Sequence, residues 1–151
     1  MTDQLEVEAS GETGTPVEVV WRMVSDADRY ATWGPWDASG YTSPGTDEPH
    51  GDGAVRWKTF GRTRTVERIL ECEPGHRLAY TVVRGIPVRN YRADVTLEPT
   101  GRGTRVRWRA TWDRTLLGRI VHRRLATFYP EMLGQLVAAA DRQVSDRGPG
   151  R

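Results

Sequence analysis

A run of apolar residues near the end of the chain, Leu117, Val121, Leu125, Phe128, Met132, Leu136 and Ala140, recurs every three or four positions. That spacing draws one stripe along a helix of 3.6-residue period from about Thr115 to Val144, leaving Arg119, Arg123, Arg142 and Gln143 for water. Asp113 or Thr115 stands where a side-chain oxygen can accept from first-turn amides. Pro130 removes one backbone donor yet leaves the stripe in phase, so the spacing predicts one bent helix rather than two. At 1.5 Å per residue such a helix is about 45 Å long. It needs an apolar surface of equal length to lie on.

The upstream chain can supply that surface. Leu5, Val7 and Ala9 alternate with Glu6, Glu8 and Ser10, the period-two mark of a half-buried strand. Thr15-Pro16-Val17-Glu18 reads as a helix start, with Thr as the cap and Glu completing a capping box. Val17, Val20, Trp21 and Val24 give that helix its buried side. Ser25-Asp26-Ala27-Asp28 opens a second, short helix ending near Tyr30. Trp33-Gly34-Pro35-Trp36 then holds two indoles on a turn, and a polar loop runs from Ser43 to Gly53. Strand patterns follow: Val55, Trp57 and Thr59 against Arg56 and Lys58; Thr63 to Glu73; Leu78, Tyr80 and Val82; Tyr91, Ala93, Val95 and Leu97. In the last strand Val106, Trp108, Ala110 and Trp112 oppose Arg105, Arg107, Arg109 and Thr111. A one-residue slip there would bury three arginines, so its register is well specified. Short turns between successive strands require antiparallel neighbours. Strand, two helices, a set of antiparallel strands and one long helix make an α+β chain in which the helix covers the apolar face of a single sheet.

A chain of 151 residues suits one domain, expected over 1–146 with a flexible tail at 147–151. The single cysteine, Cys72, excludes an internal disulfide and fits a reducing compartment. No window has the ~18 apolar residues of a membrane span, and Met1 to Ser10 lacks a signal pattern, so a soluble, cytoplasmic protein is expected. A net charge of +2 and a pI near 9 raise the question of nucleic acid. Against it, the basic residues are spread along the chain and nearly balanced by acids, so no nucleic-acid footprint forms. Of the 22 basic residues only Lys58 is a lysine.

The order of elements, with Thr15-Pro16-Val17-Glu18-Val19-Val20-Trp21, Asp28-Arg29-Tyr30 and Trp33 through Trp36, resembles the START-like (SRPBCC) superfamily of helix-grip proteins. Pro74-Gly75-His76-Arg77-Leu78-Ala79-Tyr80 and Gly103 through Ala110 add to the likeness, which is nearest to its bacterial polyketide cyclase/dehydrase-like branch and spans roughly residues 4 to 144. The resemblance implies a curved sheet gripping the long helix, with a hydrophobic cavity between them for lipids, polyketides or other apolar molecules. It marks the fold and leaves the chemistry open.

If the grip forms, Trp57, Tyr80, Tyr91, Trp108 and Trp112 face Phe128, Tyr129 and Met132, and Trp33 and Trp36 lie at the wall or mouth. Such aromatic walls suit a flat apolar ligand; the alternative is that the same rings interlock as ordinary core. In the strand Thr63 to Glu73 the Val66/Leu70 face is expected inward, which makes Arg68 the internal charge, able to neutralise a carboxylate or enolate. If Glu67 turned inward instead, it would be a candidate base. Tyr80 and Tyr91 are candidate donors. His122 borders the expected cavity, whereas His50 and His76 lie in turns or loops. No His/Cys/Asp/Glu cluster has metal-ligand spacing, and no cofactor motif appears. Three functions follow. The first is a pocket that binds an apolar small molecule. The second is a cyclase or aromatase that folds a poly-β-carbonyl chain and removes a proton or water. The third is an interaction protein with a filled core. The sequence does not fix the oligomeric state.

Overall fold

Seven strands pair in a single antiparallel sheet in the computed structural model, which describes residues 3–146; the expected tail at 147–151 lies outside the described residues. The chain runs β1 (Gln4–Thr13), α1 (Val17–Ser25), a 3-10 turn (Ala27–Arg29), α2 (Tyr30–Trp33), β2 (Ala38–Ser43), β3 (Val55–Phe60), β4 (Thr63–Glu73), β5 (Arg77–Arg84), β6 (Arg92–Pro99), β7 (Thr104–Asp113) and α3 (Leu116–Asp146). Strand order is β1-β7-β6-β5-β4-β3-β2, so β2 to β7 form a meander and β1 closes on β7. β2 lies in the stretch between the tryptophan turn and the polar loop, where no strand pattern was legible.

β7 follows its alternation: Val106, Trp108, Ala110 and Trp112 are buried and Arg105, Arg107 and Arg109 exposed. Across the pairing with β1, Arg105, Arg107 and Arg109 reach Glu12, Glu8 and Glu6. These exposed pairs fix register more than they add stability.

α3 is one continuous helix with Pro130 inside it. Thr115 caps its start, its hydroxyl accepting from Gly118 N at 2.9 Å. The second half carries the buried face, through Tyr129, Met132, Leu133, Leu136, Ala139 and Ala140. Leu117, expected in the buried stripe, is exposed together with Leu116 and Ile120. Gly11 of β1 lets the helix approach, since a Cβ there would lie 3.1 Å from Val137 Cγ2.

The start of α1 departs from the expected capping box. Pro16 is the N-cap and no side chain caps it. The Thr15 hydroxyl instead donates to Ala140 O at 2.6 Å, and its carbonyl accepts from the Thr104 hydroxyl at 2.8 Å. Thr15 therefore ties α3 to β7, because a buried hydroxyl is held by whichever acceptor lies nearest.

Gly85 after β5 has φ +106, and a Cβ there would stand 2.2 Å from Arg64 O. Gly85→Ala meets both an unfavourable backbone region and a main-chain clash, so it is expected to lose about 2 kcal/mol or more, read as a Tm lower by roughly 4–8 °C. An unchanged melt would show that the β4–β5 edge yields freely.

Candidate functional site

The interior is organised by β3 and β4. Arg56 pairs with Glu67 across the two strands, and Lys58 lies two residues on, on the same face. Arg56 Nε donates to Glu67 Oε1 at 2.9 Å, and Lys58 Nζ stands 3.1 Å from Glu67 Oε2. Exposure is 0% for Arg56 and 4% for each of Lys58 and Glu67. Two cations thus share one carboxylate in a place that excludes water.

Aromatic rings supply the rest of their surroundings. The Arg56 guanidinium carbon lies 4.7 Å from the ring centres of both Tyr30 and Tyr80. Lys58 Nζ lies 4.4 Å from the Tyr30 ring, 4.6 Å from Trp36 and 5.4 Å from Tyr80. Ring faces attract cations, and more so once both are desolvated. Arg56 Nη1 reaches Val24 O at 3.5 Å, and Nη2, fully buried, has no hydrogen-bond partner among the described residues.

The two cations respond differently to burial. For Arg56 burial works against the charge, but the neighbouring Tyr30, Glu67 and Tyr80 oxygens outweigh it, and its pKa is raised. For Lys58 burial dominates and is reinforced by Arg56; Glu67 recovers only part, and the amine is pushed down to about 8. Lys58 is the cation of the pair that can give up a proton. Burial also pushes the Tyr80 and Tyr129 phenols well above their usual range, so both remain neutral donors.

Around this cluster the rings interlock. Trp108 Nε1 donates to Tyr80 OH at 3.1 Å, the Tyr91 and Tyr129 hydroxyls share a hydrogen bond, and Tyr91 stacks on Trp112 with centres 5.7 Å apart. Trp33 Nε1 donates to Met23 O at 2.9 Å. Trp36, half-buried, forms the outer layer over Lys58, with its ring 5.2 Å from Tyr30 and 6.1 Å from Phe128. Gly34 keeps it there, since a Cβ at that position would lie 2.1 Å from the Trp36 ring. Met132 is buried within the same core.

Two expectations are corrected. Trp57 does not face α3: it lies on the opposite side of β3 from Arg56 and Lys58, half-buried under the Arg64 guanidinium at 4.6 Å. In β4, Glu67 and Ile69 turn inward while Arg68 is exposed and Leu70 lies on the outer side. The reason is charge: with Arg56 and Lys58 inside, a carboxylate opposite them is favourable and a third cation is not. Register irregularities between Val66/Glu67 and Ile69/Glu71 further break the simple alternation. Between sheet and α3 the expected wall residues Trp108 and Trp112 are fully buried. An open groove of about 340 Å³ lies elsewhere, between Ala9–Gly11 and Pro130–Val137.

His122 stands apart from the charged cluster, its Nε2 2.9 Å from Glu6 O and its ring 6.0 Å from Trp112. His50 Nδ1 contacts Tyr41 OH, which also accepts from Ala27 N and donates to Ser25 O. Cys72 is a half-buried thiol whose pKa burial raises. Among the described residues no group of three or more His, Cys, Asp or Glu side chains could hold a metal ion, and no helix is long and apolar enough to cross a membrane.

A seven-stranded sheet gripping one long helix, with a charged cluster at its centre, defines the class as helix-grip. The sequence matches, over residues 4–141, the family described as polyketide cyclase / dehydrase and lipid transport, and the chain belongs to that family. The fold is similar to the solution structure of a Thermobifida fusca protein, with 27% identity, 91% of this chain and 93% of that one covered, and a TM-score of 0.74. It is also similar to a Mesorhizobium loti protein, at 20% identity, 91% and 98% coverage and a TM-score of 0.74. DynU16, a protein in the dynemicin biosynthetic locus, is matched at 23% identity and a TM-score of 0.66 over all of this chain and 50% of its own. A comparison with curated proteins finds no match.

Arg56 and Lys58 were missed in the sequence because an apolar-in reading of β3 sends them to solvent. One signal was available. The chain uses arginine at every other basic position, so its lone lysine stands out.

Proposed function

We propose that this protein binds a flat, largely apolar small molecule of aromatic or polyketide type in the interior between sheet and α3, with an oxygen of the ligand facing Arg56. The observation that carries this reading is Arg56 Nη2, a buried charged donor with no acceptor among the described residues. Leaving such a donor unmade costs about 1–3 kcal/mol or more, and a ligand oxygen would satisfy it. Trp36 gives way to the ligand, because it is half-buried, sits on a loop and covers the cluster from outside. A bicyclic ring replacing its indole would keep the contacts with Tyr30 and Phe128.

The test is native mass spectrometry of protein purified from its own host. An apolar molecule is expected to accompany the wild type and to be lost from Arg56→Met, in which Lys58 and Glu67 remain paired. Wild type free of any such molecule, or equal occupancy in Arg56→Met, would argue for a filled core.

A second reading, an enzyme of cyclase or dehydrase type in the same space, rests on Glu67 Oε2 and Lys58 Nζ standing 3.1 Å apart as acceptor and donor. A positioned pair of this kind can move a proton beside a carbonyl. The accompanying molecule separates the two: a binder returns it unchanged, an enzyme converts it.

A further inference from the structure

Lys58 is the single lysine of a chain whose other basic side chains, apart from three histidines, are all arginine. Arginine keeps its proton under all ordinary conditions, and lysine alone of the two can become a neutral amine. The one position given to lysine is buried, not on the surface where either cation would serve. There it is enclosed by the rings of Tyr30, Trp36 and Tyr80 and lies beside a second cation. Desolvation and a neighbouring cation are the two influences that turn a lysine into a nucleophile.

We propose that Lys58 is a carbonyl-reactive amine that forms an imine with an aldehyde or ketone held in the interior. This rests on the interior-binding reading and adds to it the chemical class of the ligand. The neutral Nζ attacks the carbonyl carbon, forming the C–N bond while the carbonyl oxygen takes up a proton. Glu67 Oε2, 3.1 Å away, relays the protons. The carbinolamine then loses its oxygen as water, leaving C=N. Overall, one ammonium and one carbonyl give one iminium and one water, with no oxidant or reductant. The ligand ring that takes the place of Trp36 over the amine keeps bulk water from reversing the step. The lowering of the Lys58 pKa to about 8 supports the assignment, since an appreciable fraction is neutral near physiological pH.

The experiment treats the folded full-length protein with cinnamaldehyde, or with benzoylacetone, in the presence of cyanoborohydride. Adducts are located by peptide mapping, which also resolves the α-amino group, and binding is followed by tryptophan fluorescence. One reduced adduct on Lys58 is expected, forming at least tenfold faster in the folded than in the urea-unfolded protein at pH 7. Its rate should rise with pH and level off above an inflection near 8. Lys58→Arg and Lys58→Met should both abolish it. If fluorescence shows the probe bound while Lys58 stays unmodified, the amine assignment falls and the binding reading stands. If the rates in folded and unfolded protein are equal, Lys58 is an ordinary amine and the assignment falls. If there is neither binding nor adduct, both readings fall.

Discussion

Glu67→Leu is expected to be the most damaging single change in the interior, lowering stability by about 3–5 kcal/mol because it strands two buried cations without their carboxylate. At this chain length that corresponds to a Tm lower by about 10 °C or more in a thermal melt. Arg56, Lys58 and Glu67 are all at or below 4% exposure, so water cannot replace the missing partner. The triple variant Arg56→Met, Lys58→Met, Glu67→Leu gives the opposite result. With no charge left to solvate, it is expected to melt within a few degrees of wild type or above it. That pair of outcomes separates a cluster retained for its chemistry from one that holds the sheet together. A triple variant as weak as Glu67→Leu would mean the cluster is structural.

Trp108→Ala should follow closely, at about 3–5 kcal/mol by urea titration. The indole is fully buried, its Nε1 hydrogen-bonds Tyr80, and its ring meets Tyr30, Trp33 and Tyr129 edge-on or tilted. Removing it opens a void and leaves the Tyr80 hydroxyl short of a donor. Trp108→Phe keeps most of the ring contacts and should lose less than half as much. Equal losses for the two would show that the Tyr80 hydrogen bond, rather than packing, dominates at this position.

The scaffold was legible because its elements obey simple periods. β7 alternates cleanly, and α3 keeps its three-and-four spacing through Pro130, so the sheet and the helix that covers it could be read from residues alone. The centre was not, because β3 inverts the rule. Its apolar Trp57 faces outward, and its charged Arg56 and Lys58 face the core. Burying those charges has meaning only with Glu67 opposite and the rings of Tyr30, Trp36 and Tyr80 around them, partners brought from α2, the loop after it, β4 and β5. No window of one strand contains that information. Sites where pattern and structure disagree in this way are where function is expected to lie. β4 was ambiguous for the same reason, since the choice between Arg68 and Glu67 depends on what its neighbour presents.

The pairing of β1 with β7 has a consequence for how the molecule is made. Thr13 faces Thr104 and Gln4 faces Asp113, so β1 meets its partner only after roughly a hundred more residues have been synthesised. Until then Val7 and Ala9 have neither a neighbouring strand nor α3 above them. A nascent chain arrested before Thr104 carries β1 with the edge that meets β7 still unpaired.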